Sequence, residues 1–310
     1  MGLIQLIVFF IIAVPIILLV GFIFAVVHGK MLYKKKQEEQ QDREKQIADE
    51  ARRKQKVYEE QLANEKIERL QREIAFEEAK SKIQSQFDEE LNAIEKYPIS
   101  LSNEIIKGKP VSELDVNMYT IRSDTTLHSC GDYTVVDVET TGLKVSCDII
   151  EISAIRIRNF KPVKAYTTLI KPKKEIPFDI TELTGITNEM VADAPNIQQV
   201  MPGFIDFVGK DNLLGHNLIF DLKFLYKNGF DFTKNRRRYY DTLKMAKSKL
   251  LKIPPPGAPD DGRWQVLDYK LDSVCEYFNI YRSVAHRSLS DCLATSKAFR
   301  ELLDLYYLDK

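Results

Sequence analysis

The chain has 310 residues, 44% of them hydrophobic, with 45 basic and 45 acidic side chains and therefore no formal net charge. That balance is local: residues 37–97 hold 12 basic and 17 acidic side chains, and residues 133–310 hold 26 and 23. Its four cysteines, Cys130, Cys147, Cys275 and Cys292, form no C-x-x-C pair, which argues against a zinc site or disulfide framework and fits a reducing cytosolic setting.

Residues 3–27 (LIQLIVFFIIAVPIILLVGFIFAVV) are uncharged and apolar, long enough to cross a bilayer as a helix. A cleaved signal peptide would need a basic start, a shorter core and a small-residue cleavage site, and the run has none of these. The expectation is a retained transmembrane anchor over residues 1–29. Lys30, Lys34, Lys35 and Lys36 follow it and nothing basic precedes it. The positive-inside rule then places the N-terminus outside and the rest in the cytoplasm, as a single-pass membrane protein.

Residues 30–97 contain no proline or glycine and are rich in Glu, Gln, Lys, Arg and Ala, which predicts a long charged helical stalk that Pro98 ends. Apolar residues recur at Ile67, Leu70 and Ile74 and again at Ile83, Phe87, Leu91 and Ile94, with Glu77 and Glu78 interrupting the heptad between. Self-association through a coiled coil and a solitary stalk both fit. Residues 98–132 read as a connector.

From residue 133 onward the pattern is α/β. Strands are expected at 133–140, 149–158 and 163–170 as a meander, with a short strand at 212–215 able to pair with the first. Helical patterns lie near 196–209, 220–229, 242–251, 269–278 and 290–306.

Five residues in this part carry chemistry. Asp137 and Glu139 are two apart on a predicted strand and project from one face, while Val136 and Val138 face the other way. Thr140-Thr141-Gly142-Leu143 makes a turn at that strand's end. Asp221 falls in the first turn of a predicted helix, where the helix dipole alone would favour it. His286 and Asp291 straddle a helix start with Ser288 or Ser290 at the cap. Converging carboxylates repel one another unless a cation holds them, and hard divalent ions favour oxygen ligands. His216 and Asn217 read as turn-forming or supporting groups. Lys244, Lys247, Lys249 and Lys252 are either phosphate contacts or a solvated face.

The order D-x-E-T-T-G, H-N-x-x-F-D and H-x-x-x-x-D resembles the DEDD exonuclease superfamily in its histidine-bearing (DEDDh) branch, of the type found in the proofreading (epsilon) subunit of bacterial DNA polymerase III. IIEISAIRI (149–157), LTGITNEMV (183–191), DTL (241–243) and YKLDSVCEYFNI (269–280) fit the same type. The resemblance covers about 133–306. It implies a ribonuclease-H-like exonuclease domain over 133–310, with a mixed five-stranded sheet. It further implies Asp137, Glu139, Asp221 and Asp291 as ligands of two Mg²⁺ or Mn²⁺ ions, set ~4 Å apart. His286 is then the base, and Thr140 and Leu143 bind the terminal nucleotide. The partner is a nucleic acid with a free 3′ end, DNA favoured. Arg236–Arg238 and the Pro-rich segment 253–262 are the atypical parts. An exoribonuclease acting on short RNA and a non-cutting membrane scaffold that binds nucleic acid are the competing readings.

Overall fold

The computed structural model describes residues 2, 7, 9–104, 106–122, 125–252, 266–282 and 284–308. The Pro-rich segment 253–262 lies outside the described residues. The chain divides into two units, Met1–Phe76 and Glu77–Lys310.

In the first unit a π-helical turn, Phe9–Ala13, leads into helix α1, Val14–Ala93. The helix carries an 18-residue window of mean hydropathy 3.2 with none of it buried, long and apolar enough to cross a membrane. Beyond the window Lys34–Glu38, Glu50–Lys54, Glu68–Arg72 and Arg69–Glu73 pair at i,i+4. Such exposed pairs contribute only a few tenths of a kcal/mol each, about 0.3–0.5. Strong helix formers with no Gly or Pro from residue 30 to Ala93 account for the rest of this charged stretch.

The second unit is built on five strands: β1 Tyr133–Thr140, β2 Ile149–Arg158, β3 Lys161–Leu169, β4 Leu213–Gly215 and β5 Tyr239–Asp241. Their order is β3-β2-β1-β4-β5. The first three form an antiparallel meander, and β4 and β5 run parallel to β1. The sheet is therefore mixed, as expected. Helices follow as α2 Phe178–Thr184, α3 Asn188–Val191, α4 Ile197–Val208, α5 Ile219–Lys227, α6 Thr242–Lys249, α7 Leu271–Tyr277 and α8 Ser288–Leu308. The short α2 and α3 have too few turns to show a helical period.

Alternation along β1 explains the layering. Tyr133 and Val135 face a core shared with α6, α7 and α8, while Val136 and Val138 face a core shared with α4 and α5. Asp137 and Glu139 continue the first face, so its apolar packing gives way to carboxylates at the strand's C-terminal end.

The last turns of α1 belong to this unit. Phe87 and Ile94 are 3% and 6% exposed in the α8-side core, and Lys297 pairs with Glu90. Residues 95–97 then run along the outer edge of β3. Tyr97 N–H donates to Ala165 O (2.7 Å), and Ala165 N–H donates to Glu95 O (2.8 Å). The segment occupies hydrogen-bonding groups that an open edge would expose.

Candidate metal centre and active site

Asp137 and Glu139 sit on β1, and Asp291 lies in the first turn of α8. Among the described residues these three form the group able to hold a metal ion, with one ligand oxygen from each within 4.8 Å of the others. α8 starts at Ser288, two residues before the expected start near 290 and with Ser288 inside the helix instead of capping it, and a hydrogen bond from Asp291 N–H to Arg287 O (3.0 Å) sets its first turn.

Asp221 reaches the site from α5 by a different route. β4 pairs with β1 only at Thr134 and Val135 and ends at Gly215, so farther along that side of β1 a backbone donor needs another acceptor. Asp221 Oδ1 accepts from Val138 N–H at 3.0 Å, and the residue is 4% exposed. It stands outside the group of three, yet its charge is the strongest neighbouring charge acting on Asp137.

The crowding of these acids shifts their protonation. Burial, then Asp221 and the other carboxylates, hold Asp137 well above the usual carboxylate range. Burial followed by Asp291 and Glu151 pushes Glu139 up to about 8. Burial also takes Asp221 to about 8, against the opposing pull of the Val138 amide. Asp291 rises only to about 6, because Arg282 and His286 offset part of its burial. Without a cation the cluster favours its protonated forms, and a divalent ion would offset both the burial and the mutual repulsion by favouring the carboxylates. The donor set is all carboxylate, and buried Asp291 Oδ1 has no directed hydrogen bond, so these residues fit a hard divalent cation.

His286 lies in the loop before α8 with a left-handed backbone, φ 55°, uncommon outside glycine and enriched at functional sites. Its side chain is 40% exposed, and Nε2 is 3.9 Å from Asp272 Oδ2. Thr140 is 7% exposed, and its hydroxyl donates to Gly142 O at 2.9 Å. Gly142 has φ 155°, and a Cβ there would meet Cys147 Sγ at 3.0 Å. This turn leaves Leu143 85% exposed.

Several supporting residues were not singled out from the sequence. Glu151 on β2 is directly opposite Glu139 and 3% exposed. Both its oxygens accept from Arg287, with the shortest contact, Nη2 to Oε1, at 2.6 Å. Oε2 also accepts from Ser288 N–H (2.9 Å) and Ser288 Oγ (3.0 Å). Glu151 therefore ties β2 to the start of α8 and sets where Asp291 falls. Its signal in the sequence is a lone acid inside the apolar run IIEISAI. Asp241 joins β5 to α6: its Oδ1 accepts from Leu243 N–H (3.0 Å) and from Asn217 N–H (3.1 Å). Arg282, with a side chain 4% exposed, touches both Asp272 and Asp291. A single arginine in a loop gives no sequence signal.

His216 is a supporting group. Its Nε2 donates to Tyr269 O and its Nδ1 bonds with the Thr242 hydroxyl, each at 2.9 Å. Asn217 has φ 62°, a turn residue. Of the three consecutive arginines only Arg236 is exposed. Arg237 donates to Gly209 O (2.8 Å), and Arg238 stacks over Tyr119 and donates to Ser129 O (3.1 Å). Lys249 lies 4.3 Å from the Tyr306 ring centre, whereas Lys244, Lys247 and Lys252 are exposed.

The model of the exonuclease family RNase_T matches residues 134–299. The DNA polymerase III subunit epsilon of Aquifex aeolicus is 32% identical over 177 residues, covering 56% of this chain and 81% of that protein. The PolC-type DNA polymerase III of Clostridium perfringens is 35% identical over 171 residues, or 54% of this chain and 11% of the polymerase. That of Thermotoga maritima is 36% identical over 208 residues, 64% of this chain and 14% of the polymerase. The chain thus spans a small fraction of the PolC-type relatives. Similar solved structures include Exonuclease X in complex with 5′ overhanging duplex DNA (TM-score 0.42, 23% identity, 55% of this chain and 90% of that one). E. coli Exonuclease I in complex with a dT13 oligonucleotide has TM-score 0.47 and 18% identity, over 58% of this chain and 43% of that one.

Proposed function

The chain belongs to the exonuclease family, in its DEDD type, and on that premise we propose that it is a membrane-anchored, divalent-metal-dependent exonuclease that hydrolyses DNA from the 3′ end. The observation that carries the reading is the approach of ligand oxygens of half-buried Asp137 and Glu139 and buried Asp291 to within 4.8 Å of one another. DNA is favoured because relatives such as the Aquifex aeolicus protein are DNA polymerase III subunits.

In this reading Asp137, Glu139, Asp221 and Asp291 hold two Mg²⁺ or Mn²⁺ ions. Bound there, the ions supply an activated water and stabilise the charge of the departing 3′ oxygen. The chain's own part is to place and deprotonate. His286, on an exposed loop, takes the proton of the attacking water, a task suited to imidazole near neutral pH. Leu143 offers an apolar surface to the terminal base, and Thr140 holds the turn that presents it. The Val138 amide fixes one oxygen of Asp221, leaving the carboxylate's other oxygen for a metal.

The anchor is residues 1–29, with the stalk and the catalytic unit on the cytoplasmic side. The apolar window of α1 and the lysines that follow it support this placement.

The test uses a fragment spanning residues 77–310 and 5′-labelled DNA and RNA of one sequence. Stepwise shortening of the DNA that requires Mg²⁺ or Mn²⁺ is the expected result. Preferred cutting of the RNA would move the assignment to an exoribonuclease. Metal-dependent binding with no cutting of either would replace it with the scaffold reading.

A further inference from the structure

We propose that Arg282 is a resident counter-cation of the acidic site: it holds Asp291 while the metal ions are away and competes with them for that carboxylate. The proposal rests on the metal-site reading above and assigns a positioning role to a residue which that reading does not use.

Arg282 follows α7 in the loop that leads to His286, and its side chain is 4% exposed. The guanidinium is committed mainly to the other side. Its Nη2 is 2.7 Å from Asp272 Oδ1, and Nη1 donates to Cys275 Sγ at 3.5 Å. Towards the site it presents Nε, 3.1 Å from Asp291 Oδ1. That distance is short, yet neither atom has a well-directed hydrogen bond, although both are buried from solvent. The contact is thus one of charge with little direction.

A buried arginine facing two carboxylates offsets part of their repulsion and part of its own desolvation. Because the contact with Asp291 is poorly aligned, a metal ion can draw that carboxylate away without breaking a directed hydrogen bond. Two kinds of cation then contend for one acid, and Asp272 decides how strongly Arg282 is held back. Asp272 is 56% exposed and also lies 3.9 Å from His286, so the loop, the base and the counter-cation share one anchor.

The experiment is a calorimetric titration of Mn²⁺ into the full chain in detergent, comparing the unsubstituted protein with Asp137→Asn, Arg282→Gln and Asp272→Asn. Saturable binding that Asp137→Asn weakens upholds the metal site. Absence of binding to the unsubstituted chain overturns both the site and this proposal. Arg282→Gln is expected to tighten Mn²⁺ binding about tenfold, the order expected when a competing charge is removed from a buried site. It should also lower the melting temperature in EDTA. Unchanged or weaker Mn²⁺ binding by this variant overturns the proposal while leaving the metal site standing. Asp272→Asn, a change at an exposed residue, frees Arg282 to turn fully to Asp291 and is expected to weaken Mn²⁺ binding. Unchanged or tighter binding there overturns the proposal equally, and this arm decides the matter if Arg282→Gln does not fold.

Discussion

Glu139 and Glu151 stand opposite each other across the β1–β2 pair, and their charges are handled in different ways. Glu151 is locked to Arg287 and to the first residue of α8, whereas Glu139 turns to Asp137 and Asp291. Breaking a buried ion pair on one side leaves an uncompensated charge and costs ~3–5 kcal/mol. Glu151→Gln should therefore destabilise the fragment by about 3 kcal/mol, the low end because Arg287 is one-third exposed. Cleavage should fall by ~10–100-fold, as found for supporting residues around metal ligands. Urea unfolding and initial cleavage rates at saturating metal check both parts. A full loss of stability with an unchanged rate would show that Glu151 only staples β2 to α8.

Asp137→Asn should act in the opposite sense on stability. It replaces a buried carboxyl, which the folded chain must keep protonated or ionise among other acids, by a neutral amide, so the melting temperature in EDTA is expected to rise by a few degrees, about 2–4 °C per kcal/mol gained. The same change removes a central metal ligand and should lower cleavage by at least ~10³-fold. A variant that melts higher yet retains cleavage would remove Asp137 from the catalytic group.

The contrast between these residues shows what the sequence makes legible. Asp137 and Glu139 were readable because strand period two places both on one face beside a turn, and Asp291 because it falls in the first turn of a helical pattern; Arg287, not a serine, stands at the cap position of α8. The meander and the short apolar run that became β4 were readable, whereas β5, three residues long at Tyr239–Asp241, was not read as a strand. Glu151, Arg287 and Arg282 were harder to read. Their partners lie 136 residues away for the Glu151–Arg287 pair, and no local pattern encodes a pairing across that distance. The fate of residues 77–97 was hidden in a similar way. The apolar spacing of Ile83, Phe87, Leu91 and Ile94 was visible, but it fitted a coiled coil equally well, and only the fold shows that Phe87 and Ile94 enter the core of the catalytic unit.

Proton linkage gives a signed prediction. Glu139 and Asp221 are pushed up to about 8 in the folded protein, above the ordinary carboxylate range of the unfolded chain. Between those limits the folded state binds more protons, so metal-free stability falls as pH rises from about 5 to about 8. Metal binding expels the same protons, so added Mn²⁺ stabilises more strongly at the upper end. Melting curves in EDTA should drop by ~5 °C or more across that range, and the gap between EDTA and Mn²⁺ curves should widen. An EDTA curve that rises steadily with pH would mean the carboxylates are paired with cations already.

Phe87 tests whether the end of α1 is part of the catalytic unit's architecture. Its side chain is 3% exposed, packed with Ile94 and residues of α8, and the Lys297 ammonium lies 5.9 Å from its ring centre. Truncating a buried phenylalanine costs ~3–5 kcal/mol through lost transfer energy and the cavity left behind. Phe87→Ala should lower the urea midpoint of the 77–310 fragment accordingly, with the slope unchanged if the unfolded state is the same. The ring packs in the α8-side core and is not a member of the acidic group, so the cleavage rate measured well below the melting temperature should stay within about twofold of the unsubstituted fragment. A midpoint that does not move would show residues 77–97 to be a passive tether, because burial at this position is what makes the helix end and the sheet one folding unit.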